Sequence, residues 1–247
     1  MAYDEQSFLN GLAAGLSVTG GQEIGIGDSG WWRLRGGTLE IYCRCDIPDY
    51  NLRDNFPPWY SNRYYIKALR IFDCVTGIGT YAFFDFNHLG DVTIPDSVTK
   101  IGGYSFACHT QWGYGGERAD VVIPDSVVYI GNAAFYAAYI KSVTIPGSLY
   151  NLNWSTFSEC NGLKSAVIRD GLYGIGAGTF WECRNLETVT IPDSVGVIGY
   201  NAFQTCGSLK HVYYGGTEEQ WSRIHVYAGN DALKRATIHY NSAGSNA

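Results

Sequence analysis

VTIPDSVGVIGYNAFQTCGSLKH, residues 189–211, restates a phrase that the chain has already used twice. VTIPDSVTKIGGYSFACH runs from Val92, and VVIPDSVVYIGNAAFYAA runs from Val121. Aligning the shared letters gives six units, beginning at Leu69, Val92, Val121, Val143, Ala166 and Val189. Successive starts lie 23, 29, 22, 23 and 23 residues apart. A period in the twenties marks a solenoid, in which each unit buries its apolar face only against its neighbours.

The shared letters have physical roles. The first and third residues of a unit, such as Val92/Ile94 and Val189/Ile191, alternate with polar or β-branched ones, as in a half-buried strand. Pro95, Pro124, Pro146 and Pro192 then end the strand, because proline cannot donate to a neighbour. Asp-Ser after proline favours a turn through side-chain to backbone hydrogen bonds. Gly79, Gly102, Gly131, Gly176 and Gly199, with Asn153 at the same place in the fourth unit, are expected to supply a positive φ. One phenylalanine per unit follows (Phe83, Phe106, Phe135, Phe157, Phe180 and Phe203), predicting a continuous spine of rings. With strands stacked about 4.8 Å apart, six units make a block roughly 30 Å long. Cys160, Cys183 and Cys206 share one repeat position with Ala138 and Phe86, which suits a ladder of buried apolar side chains and not metal ligation.

Composition excludes several classes of function. A chain that is 46% hydrophobic and 16% charged has enough apolar material for a large core. Twenty-three acids against 17 bases leave no basic field for nucleic acid or an anionic membrane surface. No apolar run reaches the length of a membrane span, so no membrane insertion is expected. The opening MAYDEQSFLNGLAAGLSV begins with acids and lacks a basic stretch, so it does not read as a secretory signal. Seven cysteines cannot all pair within one chain, and reduced thiols are the simpler reading.

The phrase VTIPDSVxxIGxxAFxxCxxL resembles the leucine-rich repeat of the BspA-like, Treponema-type family. GWWRLRGGTLEIYCRCDIPDYN and VYYGGTEEQWSRIHV resemble the N- and C-terminal caps of that family. The resemblance implies a β-rich α/β fold: a right-handed parallel leucine-rich-repeat solenoid with short helical or 3-10 turns and capped ends. It also implies a recognition or adhesion role, often at a bacterial surface, without catalytic residues. The caps also follow from the residues themselves. Gly36-Gly37 reads as a hairpin turn, and Thr217 to Gln220 has capping-box spacing before a short helix carrying Trp221.

The letters that drift between units suggest where a partner binds. Residues two and three before each phenylalanine, and one after it, are expected to face outward. Those places hold Tyr81, Tyr104, Tyr136, Trp154, Trp181, Tyr200 and Phe84, among Asn, Ser, Gly, Ala, Thr and Gln. Tyr and Trp offer contact area at low entropic cost, while Ser, Gly and Asn adapt their hydrogen bonding. The second unit adds an insertion within ACHTQWGYGGERAD that places Trp112 and Tyr114 between glycines. These eight residues, without Phe84, are the candidate partner-binding set.

Catalytic and metal signatures are not apparent. The five histidines are dispersed, Cys43-x-Cys45 with Cys74 or Cys108 matches no structural zinc spacing, and there is no G-x-S-x-G or phosphate-binding glycine loop. No cofactor and no metal are expected. Residues 4–16 place Phe8, Leu9, Leu12, Ala13 and Leu16 on one helical stripe that could dock onto another protein. The opening stretch also resembles the starts of tail-region proteins of bacteriophages and prophages. The expected division is residues 1–27, an amphipathic helix and glycine-rich linker; 28–68, a β cap; 69–211, the repeats; and 212–247, a C-terminal cap and tail. The expected function is non-catalytic recognition or adhesion, binding a protein or cell-surface glycan at a bacterial surface. The alternative is a phage or prophage tail-associated structural or receptor-binding protein attached through its N-terminal helix.

Overall fold

The structure is a computed structural model and describes residues 30–108 and 119–242. The helix expected over residues 4–16, the docking and phage readings that rest on it, and Trp112 and Tyr114 lie outside the described residues.

The chain coils as a parallel solenoid. Each coil contributes one longer strand, one two-residue strand and a turn-rich third side. The hairpin Gly30–Arg35/Thr38–Cys43 opens the row of longer strands, and Ala68–Ile71 and Asp91–Thr93 follow it in parallel. Ala119–Val122, Ile140–Ile145, Ser165–Ile168, Thr188–Ile191, His211–Tyr214 and Thr237–His239 form a six-stranded parallel sheet. Register pairs Leu69 with Val92, Val121 with Val143, Val143 with Ala166, and Ala166 with Val189. The repeat alignment is thus the stacking register. Beyond the sixth unit, His211–Tyr214 and Thr237–His239 continue the same row.

The short strands stack as Gly77–Ile78, Lys100–Ile101 and Tyr129–Ile130, and then as Asn151–Leu152, Gly174–Ile175, Val197–Ile198 and His225–Val226. Between the two rows, each Pro-Asp-Ser turn closes on itself and on its neighbour. Val98 N donates to Pro95 O at 3.0 Å, while Ser97 Oγ reaches back to Val75 O in the preceding coil at 2.7 Å. Ser126, Ser148 and Ser194 repeat that backward bond at 2.8, 2.6 and 2.9 Å. The serine therefore ties coils together as well as shaping a turn.

The repeat glycines have another role than the one expected. Gly79, Gly102, Gly131, Gly176 and Gly199 do not have positive φ. A Cβ on Gly131 would lie 2.4 Å from Gly103 N, and one on Gly102 would lie 2.4 Å from Thr80 N. At these glycines successive coils approach too closely for a Cβ, so the constraint is steric and not conformational. Asn153 serves the fourth coil differently, donating from its side-chain amide to Ile130 O at 2.5 Å.

The phenylalanine spine is present. Ring centroids lie 5.2 Å apart from Phe83 to Phe106, 5.1 Å from Phe106 to Phe135 and 5.2 Å from Phe135 to Phe157. It continues through Phe180 to Phe203 at 5.7 and 5.2 Å. Trp59 caps it, stacking on Phe83 at 5.9 Å and donating its indole N–H to Ala82 O at 2.7 Å. Cys160, Cys183 and Cys206 are buried and donate to Phe135 O, Phe157 O and Phe180 O at 3.0, 3.0 and 3.1 Å. Cys43 and Cys45 form a disulfide, which corrects the expectation of reduced thiols throughout. The bend that follows the strand Thr38–Cys43 brings these two sulfurs together, which an odd total does not reveal.

Both caps follow the expected chemistry. Gly36 and Gly37 adopt φ of 57° and 81°, the left-handed pair that a two-residue hairpin demands. Thr217 and Gln220 form a capping box on the helix Glu218–Ser222, whose Trp221 packs edge-on to Tyr214 at 5.0 Å.

Candidate binding site

The third side of each coil is built on an alternating backbone. Two residues before each spine phenylalanine, φ is left-handed: 57° at Tyr81, 53° at Tyr104, 53° at Ala133, 54° at Ser155, 62° at Gly178 and 57° at Asn201. The alternation aims every second N–H at the following coil. Ser155 N, Phe157 N and Glu159 N donate to Ala177 O, Thr179 O and Trp181 O at 3.0, 2.9 and 2.7 Å. These bonds offset the cost of left-handed backbone in residues with a Cβ. They also hold the side chains of this face on a rigid frame.

On that frame the drifting letters divide into wall, floor and cover. Tyr104, Tyr136, Trp154, Trp181 and Tyr200 line a groove of about 650 Å³. Ala133, Ser155, Ala177 and Gly178 form its floor, and Asn201 and Gln204 stand at the far end. Trp154 and Tyr200 are each 56% exposed, while Tyr104, Tyr136 and Trp181 are half-buried. Tyr81 extends the surface by stacking on Tyr104, with centroids 5.2 Å apart and planes 7° from parallel. Six of the eight sequence candidates thus meet on one face.

Not every position expected to face outward does so. Phe84, Ala107 and Ser158, each one residue after a spine phenylalanine, are buried. Phe84 is covered edge-on by Tyr81 at 5.4 Å, because rings from adjacent repeat columns overlap on this side. Ser155, Gly178, Asn201 and Gln204 occupy the same repeat columns but read as filler beside the aromatics. Their shared column with Tyr81, Tyr104, Tyr136 and Trp181 was the available signal.

The groove is electrically quiet. The Tyr136 hydroxyl donates to Glu159 Oε1, and burial, followed by that bond, pushes its pKa well up, so the phenol stays neutral. Burial likewise raises Tyr81, with Tyr104 adding to the shift. Glu182, next to Trp181 in the chain, is held by Arg184 at 2.9 Å. A second aromatic cluster lies along the short strands, where exposed Tyr150 and Tyr173 stack at 5.4 Å and Tyr129 is exposed nearby. His211 Nδ1 and His239 Nε2 lie 3.1 Å apart. Among the described residues no three His, Cys, Asp or Glu side chains gather as a metal site, and no helix is long and apolar enough to cross a membrane.

Residues 58–112 and 115–230 match the BspA type leucine-rich repeat region, in six copies. The chain belongs to the BspA-type leucine-rich repeat family. The match runs over the spine, the groove and much of the C-terminal cap. Among solved structures, this BspA-type protein is similar to a leucine-rich repeat protein from Eubacterium ventriosum, with 20% identity, 87% of this chain and 77% of that chain covered, and a TM-score of 0.42. It is similar to a leucine-rich cell surface protein from Faecalibacterium prausnitzii, with 18% identity, 84% and 98% covered, and a TM-score of 0.34. A leucine-rich repeat protein of T. pallidum gives 19% identity, 76% and 91% covered, and a TM-score of 0.35. The comparison with curated proteins returned no match.

Proposed function

We propose that this BspA-type repeat protein is a non-catalytic recognition or adhesion module that binds its partner in the aromatic groove, at a bacterial surface. The observation that carries the reading is the convergence of Tyr104, Tyr136, Trp154, Trp181 and Tyr200 on one concave face of a rigid frame. Rigid aromatic side chains among small, adaptable polar ones make an economical contact surface. Large exposed rings also lose water readily when a partner covers them. Family membership fits a repeat-based binding role.

The test is binding of fluorescently labelled protein to a panel of intact bacteria, beside a Trp154→Ala/Trp181→Ala double variant. Saturable binding to some strains, lost in the double variant with unchanged melting, is the expected result. Binding that survives the double variant removes the groove from the reading. A Trp112→Ala/Tyr114→Ala pair, run in parallel, reports whether the inserted stretch contributes.

A further inference from the structure

We infer that the groove takes an uncharged saccharide chain, an inference that rests on the groove being the recognition surface. Among the described residues, none of the side chains lining it is charged. An anionic ligand would find no cation in the lining, and the neighbouring Arg184 is already held by Glu182 at 2.9 Å. A cationic ligand would need a carboxylate, and the described lining holds none: Glu159, which accepts the Tyr136 hydroxyl, and Glu182, paired with Arg184, stand outside it. A wholly apolar ligand would leave the amides of Asn201 and Gln204 without partners.

A sugar ring satisfies both halves of this lining. It presents a C–H face that an indole or phenol ring can cover, and a rim of hydroxyls that amides and hydroxyls can bond as donors or acceptors. The groove's volume of about 650 Å³ lies within the roughly 300–1,000 Å³ that small-ligand sites occupy. An extended peptide gains little here, because main-chain donors such as Ser155 N and Gly178 N are committed to Ala177 O and Tyr200 O at 3.0 and 2.9 Å. The lining spans the second to the sixth unit, roughly 19 Å at about 4.8 Å per coil. A chain of sugar rings can lie along that row of aromatic rings.

Gly178 strengthens the assignment. Its φ of 62° does not require glycine, since Ala133, Ser155 and Asn201 adopt 53°, 54° and 57° at the same repeat position. A Cβ there would stand 3.8 Å from both Trp154 Nε1 and Trp181 Cβ, between the two indole side chains. Glycine keeps that gap open.

The test uses the full chain on an array of neutral hexose and N-acetylhexosamine oligosaccharides, with sulfated and sialylated chains and a lysine-rich peptide as further arms. Neutral chains should bind, with affinity unchanged between about 0.05 and 0.5 M salt, where screening would weaken a charged contact. Trp154→Ala and Gly178→Asn should each weaken binding at least tenfold while melting stays near wild type. Bacteria that bind the protein should lose it after periodate oxidation of their surface glycans. Preference for the anionic chains or the peptide, or cell binding lost to protease but not periodate, overturns the saccharide assignment and leaves the recognition groove standing. Saccharide binding indifferent to Trp154→Ala and Trp181→Ala, or no binding to array or cells, overturns both.

Discussion

The side-chain oxygen of Asn230 accepts the backbone N–H of Phe203 at 2.9 Å, where earlier coils use a backbone carbonyl of the next coil. Its amide nitrogen donates to Gly199 O and Tyr227 O at 2.9 and 2.8 Å, and the residue is 2% exposed. One side chain thus ends the inter-coil ladder that would otherwise expose its last donor to a dry core. Asn230→Ala leaves these groups unpaired, each orphan costing about 1–3 kcal/mol. A total loss of about 2–4 kcal/mol is expected in urea unfolding. Asn230→Asp keeps the acceptor and should lose less. Equal stability of wild type and Asn230→Ala would remove the capping role.

The spine and the groove should respond oppositely to truncation. Phe157 is fully buried between Phe135 and Phe180, so Phe157→Ala should cost about 3–5 kcal/mol. Trp154, three residues earlier and largely exposed, should change stability by only about 0.5 kcal/mol when truncated. Chemical denaturation of the two variants checks the contrast, and comparable losses would place Trp154 in the core.

Gly131 and Gly178 separate steric from conformational demands. Gly131 lacks positive φ but has no room, with Gly103 N 2.4 Å from a built Cβ. Gly178 has φ of 62° but meets only Ser155 Oγ at 3.1 Å before reaching the indoles. Gly131→Ala should therefore abolish cooperative folding or lower the melting temperature far more than Gly178→Ala. Thermal melts followed by circular dichroism decide it, and the reverse order would contradict the close approach of the coils.

Stability should fall in alkali. Burial pushes the Cys206 thiol from its ordinary 9.0 up to about 12 and raises Cys183 as well, while the Tyr50 phenol rises to about 12. The folded state then keeps protons that the unfolded chain releases, so stability is full below about pH 9 and is lost as pH rises toward 12. Melting temperature should be flat from pH 7 to about 8.5 and decline above it. Cys206→Ala should make that decline shallower, and an unchanged slope would remove the thiol from the account.

Gly36-Gly37 and Thr217 to Gln220 marked the two caps, and the period of VTIPDS…IG…AF…C by itself determined the coil, the register of Val143 on Ala166 on Val189 and the phenylalanine spine. Those features depend on which letters recur and on which face they bury, and a period carries that information. It also marked five of the groove's residues and Tyr81 beside them, because aromatics at drifting positions stand out against a fixed frame. Only the tertiary structure decided what the glycines do, since the packing of Gly131 on Gly103, which would leave a Cβ on Gly131 only 2.4 Å from Gly103 N, is a contact between coils and leaves no trace in the local pattern. The same holds for Ser97 bonding backward to Val75, for Phe84 turning out to be covered, and for Asn201 and Gln204 joining the aromatic wall. A repeat shows how each coil is made, whereas the way neighbouring coils meet emerges only when they are stacked.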